Sequence, residues 1–214
     1  MTSLLLEKCE SLTAIEIDKD LIRFLKKAYG DRKNFNLIEK DILLYDPKEL
    51  VRVNKLIGNI PYNISTPIIE WIIDNKSSFD EIFLMLQKEF GERCVAQPNT
   101  KSYGRLSIFV QCFFDVTVIR EVDKSSFDPS PKVQSIFLKL IPKVSDMTPN
   151  SILMKNLSTL TREAFSKRRK LITNSLKSFF TEEDLVNLGV ERKSRPENLS
   201  VETYIKLAKS IQSG

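Results

Sequence analysis

Short apolar and β-branched segments alternate with amphipathic segments over the first two thirds of the chain. The apolar segments predict six strands: Leu12–Ile17, Phe35–Glu39, Lys55–Gly58, Glu81–Gln87, Ser107–Val118 and Gln134–Leu140. Apolar residues at helical spacing predict helices over Lys19–Tyr29, Thr66–Asn75 and Phe90–Ala96. This alternation is typical of βαβ units, so we expect an α/β fold with a mostly parallel sheet. A loop joins the last two strands, which predicts an antiparallel hairpin at that edge of the sheet.

The pattern changes in the C-terminal third. Pro142 and Pro149 lie among polar residues, which predicts a linker over residues 141–150. Beyond it every pattern is helical: Ile152–Ser166, Lys167–Phe180, Glu182–Leu188 and Val201–Ile211. We therefore predict two domains, an α/β domain over residues 1–143 and a small all-helical domain over residues 150–214.

Composition excludes several classes of protein. No apolar run approaches the roughly 18 residues that span a membrane, and the charged start Met1–Glu7 is not a signal peptide. Cys9, Cys94 and Cys112 are too few and too widely spaced for a disulfide framework or a zinc site, so we expect no metal and a cytoplasmic location. The chain has no histidine, which excludes histidine-based triads and imidazole general bases.

The excess positive charge lies entirely in the C-terminal third. Residues 150–214 hold 12 Lys and Arg against 7 Asp and Glu, whereas residues 1–149 hold 21 of each sign. A basic region beside a neutral one favours an anionic partner such as nucleic acid. A solvated basic surface without a partner is the alternative.

The segment Asn59-Ile60-Pro61-Tyr62 follows a predicted strand and suits the binding of a planar base. The amide oxygen of Asn59 can accept a hydrogen bond from an exocyclic amine. Pro61 has a fixed φ and no N–H, so it holds the turn and leaves carbonyls free. The ring of Tyr62 can stack on the base, which contributes about 1–3 kcal/mol in single-stranded nucleic-acid sites. A polar turn after a strand is the alternative.

Two acids lie at the ends of predicted strands, N-terminal to that segment. Glu16 lies near the end of Leu12–Ile17 and can accept hydrogen bonds from ribose hydroxyls. Asp41 follows Phe35–Glu39 and can accept from the amine of a bound adenine. Each can also be a surface acid or a helix cap. Ligands in open α/β sheets bind at the carboxyl ends of the strands. We therefore expect Glu16, Asp41 and Asn59 to converge there.

Further candidates are an aromatic residue and two groups of cations. Phe127 begins the loop 127–133, which Pro129 and Pro131 stiffen, and it is a candidate to face Tyr62 across a flipped base. A core phenylalanine is the alternative. Arg105 and the consecutive cations Lys167, Arg168, Arg169 and Lys170 are candidates for contacts with RNA phosphates.

Seven separated segments come in one order: Glu16, Asp41, Asn59–Tyr62, Gln87–Glu89, Tyr103–Ser107, Phe127–Ser135 and Lys167–Lys170. In that order and spacing the whole chain resembles the ribosomal RNA adenine dimethyltransferases. Lys167–Lys170 and the ending Arg195–Glu202 are similar to the branch that modifies small-subunit RNA rather than to the branch that modifies large-subunit RNA.

The resemblance implies a Rossmann-like class I methyltransferase sheet with a small C-terminal all-helical domain, and S-adenosylmethionine as the methyl donor. Glu16 with Ile17 would hold the ribose of the cofactor, Asp41 with Ile42 its adenine, and Asn59 would also lie against it. Asn59, Pro61, Tyr62 and Phe127 would hold the target base. The partner would be small-subunit ribosomal RNA or a precursor of the small subunit, bound through Arg105 and Lys167–Lys170 by a monomer.

The chain also departs from the family at its start. The family begins with a basic segment, a first strand and a Gly-rich loop, none of which matches here, and Thr2–Leu6 resembles the helix after that loop. The strands at Leu12–Ile17 and Lys55–Gly58 would each lose a neighbour, which leaves two strand edges without a partner. A non-catalytic RNA-binding or ribosome-assembly scaffold is therefore the competing function. A large-subunit RNA methyltransferase is the second alternative.

Overall fold

A computed structural model of the chain describes residues 1–49, 55–127, 133–144, 148 and 151–211. The strands in chain order are β1 (Leu12–Glu16), β2 (Phe35–Glu39), β3 (Lys55–Asn59), β4 (Glu81–Gln87), β5 (Phe114–Val122) and β6 (Ser135–Pro142). The helices are α1 (Thr2–Leu6), α2 (Lys19–Tyr29), α3 (Ser65–Asp74), α4 (Lys88–Val95), α5 (Arg105–Phe113), α6 (Ile152–Ser166), α7 (Ile172–Ser175), α8 (Glu182–Asn187) and α9 (Val201–Ser210).

The strands form two sheets. β1 and β2 are parallel, with Glu16 opposite Glu39, and the second sheet has the order β3-β4-β6-β5. In that sheet β3 and β4 are parallel, whereas β4 and β5 each pair with β6 in the antiparallel sense. The predicted antiparallel hairpin is therefore confirmed. Within the residues that the structure describes, β1 and β3 each pair on one side only, as the resemblance predicted.

Two predicted elements are wrong in part. The segment Ser107–Phe113 is helical and the strand begins only at Phe114, because Ser107 stabilises the first turn of α5. Its hydroxyl accepts from the Gly104 N–H at 3.1 Å and donates to the Arg93 carbonyl at 2.6 Å. A helix over Lys167–Phe180 is also wrong, since α6 ends at Ser166 and only Ile172–Ser175 is α-helical there.

The core of the larger sheet lies on one face. On β4 and β6 every second side chain is fully buried, namely Ile82, Leu84, Leu86, Ile136, Leu138 and Leu140. Helix α4 packs closely on this face at Gly91, because a Cβ built there would lie 2.1 Å from Cγ2 of Ile136. The buried face therefore requires a glycine at this position.

The C-terminal helices pack on one another and on α5. Leu157, Leu160 and Ala164 of α6 are buried, as are Tyr204 and Leu207 of α9. Phe165 lies between Tyr103 and Tyr204, with ring centroids 6.4 Å and 6.1 Å away. The hydroxyl of Tyr103 donates to the Leu199 carbonyl at 2.9 Å, so the loop before α5 is joined to the segment before α9.

Contacts divide the chain into two compact units, Met1–Glu49 and Leu50–Gly214. The predicted boundary between residues 143 and 150 lies inside the second unit and stays a prediction. In the described ranges, no helix is both long and apolar enough to cross a bilayer.

Candidate active site and nucleic-acid interface

The segment Asn59–Tyr62 joins the carboxyl end of β3 to a short 3-10 helix over Tyr62–Ile64. Ile60 is buried and its N–H donates to the Met85 carbonyl at 3.1 Å, whereas the side chains of Asn59 and Pro61 are exposed. The Ile60 side chain folds back over Gly58, where a Cβ would lie 2.6 Å from its Cδ1. The side chain of Ile60 is thus buried, and the side chains of Asn59 and Pro61 are exposed at the carboxyl end of β3.

The ring of Tyr62 is held by a hydrogen bond at the same edge. Tyr62 is half-buried, and its hydroxyl lies 3.1 Å from Oγ of Ser135, the first residue of β6. Ser135 is 1% exposed, which gives the phenol a fixed partner. Sequence reasoning placed Ser135 at the end of a motif without a role of its own. Its position directly after the Phe127 loop is the signal that was available.

Phe127 lies in the connection between β5 and β6, which leaves this edge of the sheet. It is half-buried with extended backbone and follows a 3-10 turn over Lys124–Ser126. Asp123 caps that turn, accepting from the Ser125 N–H at 2.9 Å, and this backbone hydrogen bond lowers the pKa of Asp123. Because Ser135 pairs with Val122 and with Gln87, the ends of β4 and β5 meet the start of β6 here.

Lys88 fixes the two ends of the Phe127 connection, a role that sequence reasoning missed. Its Nζ lies 2.7 Å from Oε2 of Glu121 on β5, and its N–H donates to the Gln134 carbonyl at 2.9 Å. The hydrogen bond to Glu121 raises the pKa of Lys88. Asn59–Tyr62 and Phe127, which the sequence predicts to hold a base, are together called the base-binding edge below. Residues 128–132 of the predicted motif lie outside the described residues.

The smaller unit holds the acids that were predicted to bind a cofactor. Glu16 ends β1, and its Oε1 accepts from the N–H groups of Ile17 and Asp18, both at 2.9 Å. Its other carboxylate oxygen has no hydrogen-bond partner among the residues that the structure describes. Asp41 follows β2 and accepts from the Leu43 N–H at 2.9 Å. Since Glu16 and Glu39 are in register, Glu16 and Asp41 lie at the same edge of the β1–β2 sheet.

The position of Asn59 relative to Glu16 and Asp41 stays a prediction, because Glu16 and Asp41 belong to one compact unit and Asn59 to the other. The alternative reading of Asp41 as a cap holds for one of its oxygens, which caps a 3-10 turn. The N–H of Ile42 makes no hydrogen bond to any described residue, so both halves of the predicted adenine contact are available.

The predicted RNA-binding cations lie on adjoining segments of the larger unit. Arg105 is exposed at the start of α5, with its guanidinium over the ring of Phe109. The segment Lys167–Lys170 follows α6, and Arg168 donates to the Lys101 carbonyl at 2.9 Å, four residues before Arg105. Arg105 and Lys167–Lys170 are called the basic surface below.

The α/β fold and an amide–proline–aromatic turn at the carboxyl end of a strand define a class I methyltransferase that acts on a nucleic-acid base. More narrowly, the chain belongs to the ribosomal RNA adenine dimethylase family, whose model matches residues 1–213. Members of this family use S-adenosylmethionine to dimethylate adenines of ribosomal RNA.

Relatives of known identity agree with this assignment. The chain is 38% identical to ribosomal RNA small subunit methyltransferase A of Legionella pneumophila, covering 100% of this chain and 83% of the relative. It is 36% identical to the protein of that name from Coxiella burnetii, covering 97% and 81%.

Two solved structures are similar over nearly the whole chain. A dimethyladenosine transferase from Plasmodium falciparum is 30% identical with a TM-score of 0.79, covering 96% of this chain and 83% of that one. The 23S rRNA methyltransferase ErmE is 22% identical with a TM-score of 0.74, covering 98% and 85%, and supports the fold alone.

Proposed function

We propose that this chain transfers two methyl groups from S-adenosylmethionine to the exocyclic amine of adenosines in small-subunit ribosomal RNA. The observation that carries the proposal is at the carboxyl end of β3, where the amide of Asn59 is exposed and the ring of Tyr62 is held by Ser135. The names of the bacterial relatives support the small subunit as the partner. We further propose that the chain works as a monomer in the cytoplasm, where ribosomal subunits are assembled.

The acids of the smaller unit fit the cofactor. The free oxygen of Glu16 is an acceptor suited to ribose hydroxyls, and two backbone N–H groups fix the carboxylate through its other oxygen. Ile17 contributes one of those N–H groups and is 66% exposed. Asp41 can accept from the adenine amine, and the N–H of Ile42 can donate to a ring nitrogen. When bound, S-adenosylmethionine supplies an activated methyl group on a sulfonium.

The residues of the base-binding edge prepare the target amine for attack. An adenine amine is a poor nucleophile because its lone pair is delocalised into the ring. An acceptor on each of its two N–H bonds favours a tetrahedral nitrogen whose lone pair is localised. The Asn59 side-chain oxygen is one acceptor. The Ile60 carbonyl is the better second one, since the Pro61 carbonyl accepts from the Ile64 N–H at 3.0 Å.

The aromatic residues hold the base outside its stack. An enzyme that modifies an exocyclic amine must first extrude the base, which costs a few kcal/mol. Stacking of the base on Tyr62 and Phe127 offsets this cost by about 1–3 kcal/mol per base. The product amine is cationic and loses its proton to water, so the proposal requires no general base from the chain.

The basic surface is proposed to bind the RNA backbone. Lys167, Arg169 and Lys170 are exposed, and among the described residues their side chains make no ion pair. Cations that are free to neutralise phosphates contribute affinity through release of counterions. These contacts position the RNA, and the base-binding edge then selects the base.

A non-catalytic scaffold that binds ribosomal RNA is the second candidate function. It is favoured by the unpaired edges of β1 and β3 in the described chain. A scaffold function gives no reason for the hydrogen bond of Tyr62 or for the exposure of the Asn59 amide. Asn59→Ala separates the two functions, because a scaffold binds RNA equally well without this amide.

The test is transfer of labelled methyl from S-adenosylmethionine to unmethylated small ribosomal subunits, with large subunits as the control. We expect incorporation into small subunits only, recovered as N6,N6-dimethyladenosine after digestion. Incorporation into large subunits would favour the large-subunit alternative. RNA binding without incorporation would favour the scaffold.

A further inference from the structure

Arg168 differs from the other three cations of Lys167–Lys170. Its guanidinium is half-buried, with 38% of the side chain exposed, and its Nε lies 2.5 Å from Oε2 of Glu197. Its Nη2 donates to the Lys101 carbonyl at 2.9 Å and to the Thr100 carbonyl at 3.3 Å. The fork of donors that makes arginine a good phosphate ligand is therefore already directed at protein acceptors.

The partners of Arg168 lie on two segments that are also bonded to each other. The Asn99 N–H donates to the Glu197 carbonyl at 2.8 Å, and the Asn198 amide donates to Oδ1 of Asn99 at 2.7 Å. Asn99 has φ +69°, a conformation that asparagine tolerates better than most residues. Arg168 thus joins three segments: its own, the loop before α5 and the turn before α9.

The two segments that Arg168 connects carry the other cations. The loop before α5 leads directly into Arg105, and the segment after α6 carries Lys167, Arg169 and Lys170. Arg168 reaches from the second of these segments to the first. If the guanidinium turned toward a phosphate, Glu197 would lose its partner, and the hydrogen bonds from Arg168 to the loop before α5 would be lost.

We propose that Arg168 is a positioning residue, which assembles the basic surface through Glu197 and the carbonyls of residues 100 and 101 and does not itself bind phosphate. The inference rests on the proposed function of the basic surface in RNA binding. It revises the prediction from sequence, which treated the four consecutive cations alike.

The two roles of Arg168 predict different effects of Glu197→Gln on RNA binding. If Arg168 binds phosphate, Glu197 competes with the RNA for the guanidinium, and Glu197→Gln strengthens RNA binding or leaves it unchanged. If Arg168 is a positioning residue, then Arg168→Gln and Glu197→Gln both weaken binding. The double variant then binds RNA as tightly as the single variant with the lower affinity, because both changes break the same ion pair. Arg168→Lys also weakens binding, since an ammonium keeps the charge but not the fork.

The measurement is the dissociation constant of the full chain for unmethylated small ribosomal subunits over a series of KCl concentrations. We expect Arg168→Gln, Arg168→Lys and Glu197→Gln each to weaken binding about tenfold, the loss typical of a charged hydrogen bond. Lys170→Gln is the matched control. The slope of the logarithm of its binding constant against the logarithm of the KCl concentration should fall in magnitude by about 0.7–0.9, because one phosphate contact is lost.

Unchanged or tighter binding by Glu197→Gln, or full affinity in Arg168→Lys, would overturn the positioning role while leaving the RNA surface intact. If Lys170→Gln and Arg169→Gln also bind as well as the unchanged protein, the proposed RNA surface is wrong and the role of Arg168 there falls with it. Thermal unfolding of each variant identifies any loss of affinity that comes from loss of the fold.

Discussion

The base-binding edge and the basic surface differ in how their functional roles are distributed among residues. At the base-binding edge each group has its own proposed role: Asn59 would accept a hydrogen bond and Tyr62 would stack, with its hydroxyl 3.1 Å from Oγ of Ser135. On the basic surface several cations share one role, and the cation with the most contacts, Arg168, is turned toward the protein. We therefore expect single changes at the edge to reduce catalysis, and single changes of the exposed cations Lys167, Arg169 and Lys170 to reduce affinity weakly.

The largest effect is expected for Asn59→Ala. Loss of one preorganised hydrogen-bonding group at a reacting centre costs on the order of 100-fold in kcat. Because Asn59 is exposed and its backbone position is fixed by Ile60, the fold and the RNA affinity stay unchanged. Single-turnover methyl transfer and subunit binding, measured side by side, check this. Equal losses in both would remove the distinction between the two regions.

Phe127→Ala is expected to have the next largest effect. Loss of one stacking surface reduces kcat/KM about tenfold, within the range of 1–3 kcal/mol for a stacked base. Phe127→Tyr keeps an aromatic face and serves as the matched control with near-normal rates. If Phe127→Ala instead lowers the unfolding temperature and leaves the rate of the folded protein unchanged, Phe127 is a core residue.

Tyr62→Phe tests the hydrogen bond to Ser135 without removing the ring. A neutral hydrogen bond contributes about 0.5–1.5 kcal/mol, so we expect kcat to fall about threefold to tenfold. Ser135→Ala removes the other partner, and the double variant should be no slower than the slower single variant. Additive losses would mean that the two hydroxyls act separately.

Arg169→Gln is expected to reduce the affinity for small ribosomal subunits about twofold to fivefold at moderate salt, as for an exposed ion pair. The maximum rate at saturating subunits stays normal, because the base-binding edge is unchanged. A series of subunit concentrations separates KM from kcat. A lower kcat with normal KM would contradict the division of roles between the two regions.

Glu81 lies at the other end of β4 and provides a control with no effect on methyl transfer. Hydrogen bonds from Lys139 and then Lys55 lower its pKa from 4.5 to about 2. A depressed carboxyl pKa stabilises the fold above about pH 4.5, and this contribution is lost as the pH falls toward 2. In urea unfolding, Glu81→Gln should therefore lose less stability between pH 5 and pH 2.5 than the unchanged protein, as about two pH units separate the two pKa values.

Local pattern predicted most of the α/β part of the fold. Phe35–Glu39, Glu81–Gln87 and Lys19–Tyr29 have the predicted bounds, because each is a periodic segment with clear ends. Ser107–Phe113 was predicted to be a strand because its β-branched and aromatic residues favour that state. Its true structure depends on the hydrogen bond from Ser107 to Arg93, which lies 14 residues away and has no local signal.

At the site, too, local features could be predicted from the sequence, whereas contacts between distant residues could not. The turn at Asn59–Tyr62 could be predicted because proline and the strand end before it are local signals. The hydrogen bond between Tyr62 and Ser135 spans 73 residues, and the ion pair between Arg168 and Glu197 spans 29. A run of four cations therefore gave no indication that one of them is directed at the protein.

The most direct test of the account is methyl transfer by the unchanged protein and by Asn59→Ala to unmethylated small ribosomal subunits, with binding measured in the same samples. The account predicts dimethyladenosine with the unchanged protein, and a loss on the order of 100-fold with equal binding for the variant. Binding without methyl transfer by the unchanged protein, or equal transfer by both, would contradict it.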